Sequence, residues 1–246
     1  MRQLGSSLDQ YARRARLYPA LLAALPLPIA LVAALPVSGA ALAPLWALVS
    51  WCGAGFLLAQ LGRDLGKAKE QTLFDKWEGK PTTQLLRHRD AANPIWLAQV
   101  HHSLQSLLPQ LELPTQEQES EDQKRADAAY DAAVIALREA TRDKDAFPLV
   151  YEESCSYGFR RNLWGLKPIG ITLGIACLSA LLSLLVIGQK WHPADSPLIW
   201  AALTTMAALL LLWTTVIKPS WVRAAAFAYA ERLIASASTL AKHTEP

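Results

Sequence analysis

The sequence predicts an all-α membrane protein: four transmembrane helices arranged as two hairpins, a mostly helical cytosolic insert between them, and a C-terminal cytosolic helix. Two observations carry that prediction. Residues 19–61 and 168–217 run almost without charge, and each is long enough for two bilayer passes of about 20 residues. The cations also collect away from one side of those passes. Of 24 Lys and Arg, four precede the first apolar stretch, fifteen lie from Arg63 to Lys167, four follow Ile217, and only Lys190 sits in a connection on the opposite side. Because cations near membrane ends stay on the cytoplasmic face, both termini and the insert are expected inside.

Residues 1–18 form an expected cytosolic segment bearing Arg2, Arg13, Arg14 and Arg16. The first hairpin, 19–61, reads as Ala20–Leu35, a turn at Pro36-Val37-Ser38-Gly39, and Ala40–Leu61. An Arg-rich start before an apolar run and Val37-Ser38-Gly39-Ala40 also resembles a secretory signal. The apolar run exceeds a signal core and a second span follows a tight turn, so an uncleaved helix is expected.

In the insert, 62–167, the second span continues as a helix through Trp77 until Glu78-Gly79-Lys80-Pro81 breaks it. A helix capped by Thr82 or Thr83 is expected to run to Asp90. Asn93-Pro94 opens another, since a capping residue before a first-position proline is a strong start signal. Pro109–Asp122, rich in Gln and Glu, reads as a flexible loop; Gln123–Arg142 reads as a helix; and Phe147–Tyr151 reads as either a short strand or a linker. The second hairpin, 168–217, reads as Ile169–Ile187, a loop through Pro193 and Asp195, and Leu198–Ile217. Residues 218–246 hold a last, Ala-rich helix over Ser220–Lys242, suited to packing on the insert or on a neighbouring subunit.

No Asp, Glu, Lys, Arg or His falls inside any expected span. Buried ionisable groups mark proton relays, coupling-ion sites and voltage sensors, so their absence argues against a proton-coupled transporter or a voltage sensor. The net charge of +3 is too small to indicate a nucleic-acid protein. Gly79-Lys80-Pro81-Thr82 lacks the preceding glycine and strand of a P-loop. His88-Arg89-Asp90 copies a kinase catalytic triplet without its companion motifs. No catalytic residue, metal ligand set or cofactor is expected, and the three cysteines have no metal or disulfide spacing.

The spans instead carry small and weakly polar residues. Gly170 and Gly174, with Gly53 in the second span, permit close helix approach. Ser179, Ser183, Thr204, Thr205 and Thr214 either bond back to their own helices or line a pore built from several subunits. In the insert, Lys80, Thr82, Thr83, Arg87 and Arg89 cluster at a helix start, a setting suited to phosphate or carboxylate, or else a solvated cationic face. Tyr157, Arg160 and Arg161 stand just before the third span. They read either as interface anchors or as a base-stacking aromatic with phosphate-holding arginines. His101, on the apolar stripe with Leu97, Leu104 and Leu108, is expected to be a packed histidine.

In overall plan the chain resembles the small multi-pass membrane effectors of bacterial anti-phage defence systems, the Hailong-type channel effector being the nearest. That resemblance implies an oligomeric channel and a nucleotide or oligonucleotide ligand made by a partner nucleotidyltransferase. The expected function is therefore an oligomeric, ligand-controlled ion channel or membrane-depolarising effector. The alternative is a non-catalytic scaffold that docks a cytosolic partner enzyme. Expected partners are membrane lipids and further copies of the chain.

Overall fold

The computed structural model describes residues 10–38, 43–188 and 191–244, and the described residues are helical with no strand. The first helical run, α1, comprises a π-helical turn at Arg13–Leu17 followed by Tyr18–Ala24 and Pro26–Ser38. Then come α2 (Ala43–Lys76), α3 (Pro81–Gln84), α4 (Pro94–Leu107), α5 (Gln116–Glu121), α6 (Gln123–Ala140), α7 (Pro148–Gly188), α8 (Pro197–Thr215) and α9 (Pro219–Thr244). Among the described residues, three stretches are long and apolar enough to cross a membrane: Gln10–Ala34, Pro148–Gly188 and Pro197–Thr215. The expected second span, 40–61, falls partly outside the described residues.

Several boundaries differ from the expectation, each for a local reason. The first apolar helix is already helical at Gln10, ahead of Pro19, because nothing between them breaks the backbone pattern. The third apolar stretch is the C-terminal half of α7, which starts at Pro148 and continues through Pro168. Phe147–Tyr151 is thus neither strand nor linker: proline at the first helical position, where no backbone donor is needed, opens α7 there. Likewise Pro81 opens α3, so Thr82 and Thr83 are buried inside a single turn and do not cap a helix reaching Asp90. The segment 109–122 contains α5, closed at its start by a reciprocal capping box between Thr115 and Gln118. As the sequence predicts, Asn93 caps α4, its side chain accepting from the N–H groups of Ile95 and Trp96 at 3.1 Å each.

The chain forms two compact units. Unit 1 takes residues 1–70 and 158–222, and unit 2 takes 71–157 and 223–246. In unit 1, one core gathers Ala20, Ala24, Leu58, Leu166, Trp213 and Ile217, and a second gathers Ala33, Leu181, Leu185, Ile199 and Leu203. Backbones approach closely where α2 crosses α7: a Cβ on Gly165 would stand 2.6 Å from the backbone nitrogen of Gly66. Gly170 and Gly174 receive Trp213 and Leu210 of α8, so this pair is a packing surface within the chain. Within the chain a Cβ on Gly53 meets nothing within 4 Å, whereas Gly55, on nearly the opposite face of α2, seats Leu21 of α1.

Unit 2 is built on Tyr130, Val134 and Leu137 of α6, Val100 and Leu104 of α4, and Leu233, Ile234 and Ala237 of α9. The Ala-rich last helix therefore packs on the insert through its Leu and Ile side chains.

Candidate functional site

The predicted cationic cluster of unit 2 is folded inward. Arg87, only 5% exposed, donates from Nε and Nη2 to the two carboxylate oxygens of Asp127 at 2.8 and 2.7 Å. Its Nη1 donates to the Glu78 carbonyl at 2.9 Å and to Asp90 at 3.1 Å. Both ends of this fork are satisfied, the strongest form of a guanidinium–carboxylate contact. The guanidinium packs against Gly79, where a Cβ would come within 2.6 Å of Nη2 and where φ is +136°, so glycine is required on two grounds. Burial opposes the charge of Arg87, but its bonds to Asp127 and Asp90 outweigh that and raise its pKa.

Around this fork stand two more carboxylates. Asp131, one helical turn beyond Asp127, takes the Lys80 ammonium and the Thr83 hydroxyl, the latter at 2.6 Å. Glu119 of α5 is 2% exposed yet ionised. It accepts from the backbone N–H of His88 at 2.8 Å, of Arg89 at 3.2 Å, and from the Tyr130 hydroxyl at 2.8 Å. Burial would raise its pKa; these donors and the Arg89 guanidinium at 3.3 Å reverse the effect and lower it. The same geometry raises the Tyr130 pKa, by burial first and by the adjacent Glu119 second. His101 is a packed histidine. Its Nε2 lies 2.9 Å from the Leu86 carbonyl, its ring meets His88 edge-on, and burial lowers its pKa.

In unit 1, Arg160 donates to the Trp221 carbonyl at 3.1 Å and lies over the Trp221 ring at 5.0 Å. Arg161 pairs with Glu70 at 3.0 Å and bonds the Asn162 side chain. Asn162, 1% exposed, donates to the Ala15 carbonyl of the π-helical turn at 2.7 Å. Tyr157, which belongs to unit 2, stacks parallel to Tyr229 at 6.3 Å. The structure thus places Lys80, Thr83, Arg87 and Arg89 in one network, and Arg160 and Arg161 in the other unit. Thr82 is buried beside Thr83.

Every hydroxyl predicted to line a pore whose bond is resolved points back along its own helix. Thr204, Thr205 and Thr214 donate to the carbonyls of Trp200, Ala201 and Leu210 at 2.9, 2.8 and 3.0 Å, and Ser183 donates to the carbonyl of Ser179 at 2.9 Å. All five residues nevertheless stand on exposed faces of α7 and α8.

The residues that sequence reasoning missed are Asp127, Asp131, Glu119 and Asn162. For the aspartates a signal existed: they stand four apart on α6, flanking the apolar stripe of Ala126, Tyr130 and Ala133. Chemically, the unit 2 network is a brace of matched charges that clamps 78–90 onto α5 and α6. Among the described residues, no three His, Cys, Asp or Glu side chains converge as a metal site. Comparison with protein families, with curated proteins and with solved structures finds no match to this chain.

Proposed function

We propose that this chain is a multi-pass membrane protein that assembles with copies of itself into an ion channel or membrane-depolarising effector, with unit 2 as its control module. The observation that carries the reading is the hydroxyl-bearing outer face of α8, where Thr204, Thr205, Thr214 and Thr215 are exposed while their donors are satisfied by carbonyls of the same helix. Such a face costs little in lipid, since no donor is left unpaired. Each oxygen keeps acceptor capacity that water can use once several copies enclose it. Residues 40–61 supply the fourth pass in this reading, giving two hairpins with termini and insert on the cytoplasmic side. The nucleotide-type ligand comes from the family resemblance alone.

The scaffold reading is favoured by a different observation: Lys80, Arg87 and Arg89 are already committed to carboxylates of the same unit. A ligand would have to displace those partners, whereas a docked protein would not. Ion flux through liposomes carrying the purified chain separates the two. Channel activity predicts flux above empty liposomes that a nucleotide or oligonucleotide panel raises or lowers, and a several-fold drop in conductance for Thr204→Leu with Thr205→Leu. Liposomes that stay tight throughout leave the scaffold.

A further inference from the structure

We propose that the seam between α1 and α2 in unit 1 is a binding site for one anionic phospholipid. At one end of the seam lies a cavity of about 490 Å³ lined by Arg13, Arg16, Leu17, Phe56, Ala59 and Gln60. Further along the same pair of helices lies a second, of about 590 Å³, whose walls are almost wholly apolar and include Leu25, Pro28, Ile29 and Trp51, with Ala201 of α8. Between them Leu21 seats on Gly55 and holds α1 to α2, so the cavities are two compartments along one helix–helix line.

The chemistry of the two ends differs in the way a phospholipid differs along its length. Arg13 and Arg16 project from the π-helical turn, and among the described residues neither they nor Arg14 makes an ion pair with a carboxylate. Arg16 has only the face of Tyr11, at 5.9 Å. Arg87, Arg89, Arg160 and Arg161 each have an acid or a carbonyl within reach, whereas Arg13 and Arg16 stand at the head of a groove, where a guanidinium fork suits a phosphodiester. The length agrees as well. One leaflet of hydrocarbon is about 15 Å deep, half of a core of about 30 Å, and at about 1.5 Å per residue that covers about ten residues of helix. Counted from Leu17, an acyl chain therefore passes Leu25 and comes up to Pro28, both in the near wall of the apolar compartment. A free phosphate uses only the first compartment; a lipid also carries apolar chain along the seam as far as the near wall of the second.

This inference rests on the membrane reading and not on channel activity, so its test reads lipid and not flux. The purified full chain in detergent is offered phosphatidylglycerol or phosphatidylcholine with identical acyl chains, and retained lipid is counted by native mass spectrometry. Two arginines contributing about 1 kcal/mol each give an expected preference for phosphatidylglycerol of about 30-fold. The preference disappears in Arg13→Gln/Arg16→Gln and survives in Arg14→Gln, which removes a neighbouring charge that does not line the cavity. Ala201→Phe, filling the apolar compartment from an exposed position, lowers retention of both lipids.

Equal retention of the two lipids by the unsubstituted chain overturns the proposal, as does loss of preference in Arg14→Gln. Displacement of phosphatidylglycerol by inorganic phosphate reduces the site to an anion pocket and also overturns it. If Ala201→Phe changes the oligomer mass and leaves lipid untouched, a second copy occupies the groove instead. Where the double variant fails to fold, the unsubstituted chain's lipid ratio and the phosphate competition decide the matter.

Discussion

Arg87 shows how much of unit 2 depends on one side chain. It is the common partner of Asp127, Asp90 and the Glu78 carbonyl, and removing it strands a carboxylate that is two-thirds covered. Arg87→Ala is expected to destabilise unit 2 by about 3 kcal/mol, the low end for a broken buried pair because Asp127 retains some solvent. Hydrogen exchange across 78–90 reads this directly, and Arg87→Lys restores little because an ammonium cannot span both carboxylate oxygens. Acid acts on the same region through two groups. Unfolded His101 takes a proton near its ordinary 6.5 while the folded form resists it, so stability falls as pH drops below that value. Folded Glu119 stays ionised below its ordinary 4.5, so its contribution is present above that value and is lost as pH falls through the lowered pKa. A melting curve taken across this range is expected to show two descending limbs, with Glu119→Gln flattening the lower and His101→Gln the upper.

Among the elements, the crossing of α2 over α7 is the least tolerant of added volume. A Cβ on Gly66 would stand 2.7 Å from the Asn162 side-chain oxygen and 3.1 Å from the Arg161 carbonyl, neither of which can retreat without breaking the Ala15 bond. Gly66→Ala is expected to cost about 1–3 kcal/mol as overpacking. Gly53→Ala, in open space, is expected to gain up to about 1 kcal/mol from helix propensity. Thermal unfolding of the two variants side by side checks the contrast. The elements also show what could be read in advance. Apolar stretches and the Asn93-Pro94 start are local signals, and they were legible. The Thr115–Gln118 capping box was present in the letters but hidden by a Gln- and Glu-rich composition that resembles a loop. The cations of 80–89 were legible as a cluster, whereas their partners were not: Asp127 and Asp131 lie 40 to 51 residues further along, and pairing at that separation is decided by packing. Asn162 was illegible for the same reason, since its acceptor belongs to a π-helical turn 147 residues away.

At the scale of the whole molecule, the channel reading predicts that overproducing the chain without its control collapses membrane potential and slows growth, measured with a potential-sensitive dye. The scaffold reading predicts neither effect. The outcome turns on residues that face away from the protomer, and these are the ones least fixed by the packing within one chain. A last consequence concerns the order in which the chain is made. Unit 2 draws Leu233, Ile234 and Ala237 from α9, which leaves the ribosome only after the apolar stretches Gln10–Ala34, Pro148–Gly188 and Pro197–Thr215. The insert is therefore synthesised before α9 and stays without one wall of its core until that helix is made. A product interrupted between Thr215 and Arg223 carries its apolar helices but an open, protease-sensitive insert, so a cell's quality-control machinery has a ready means of telling copies with α9 from copies without it.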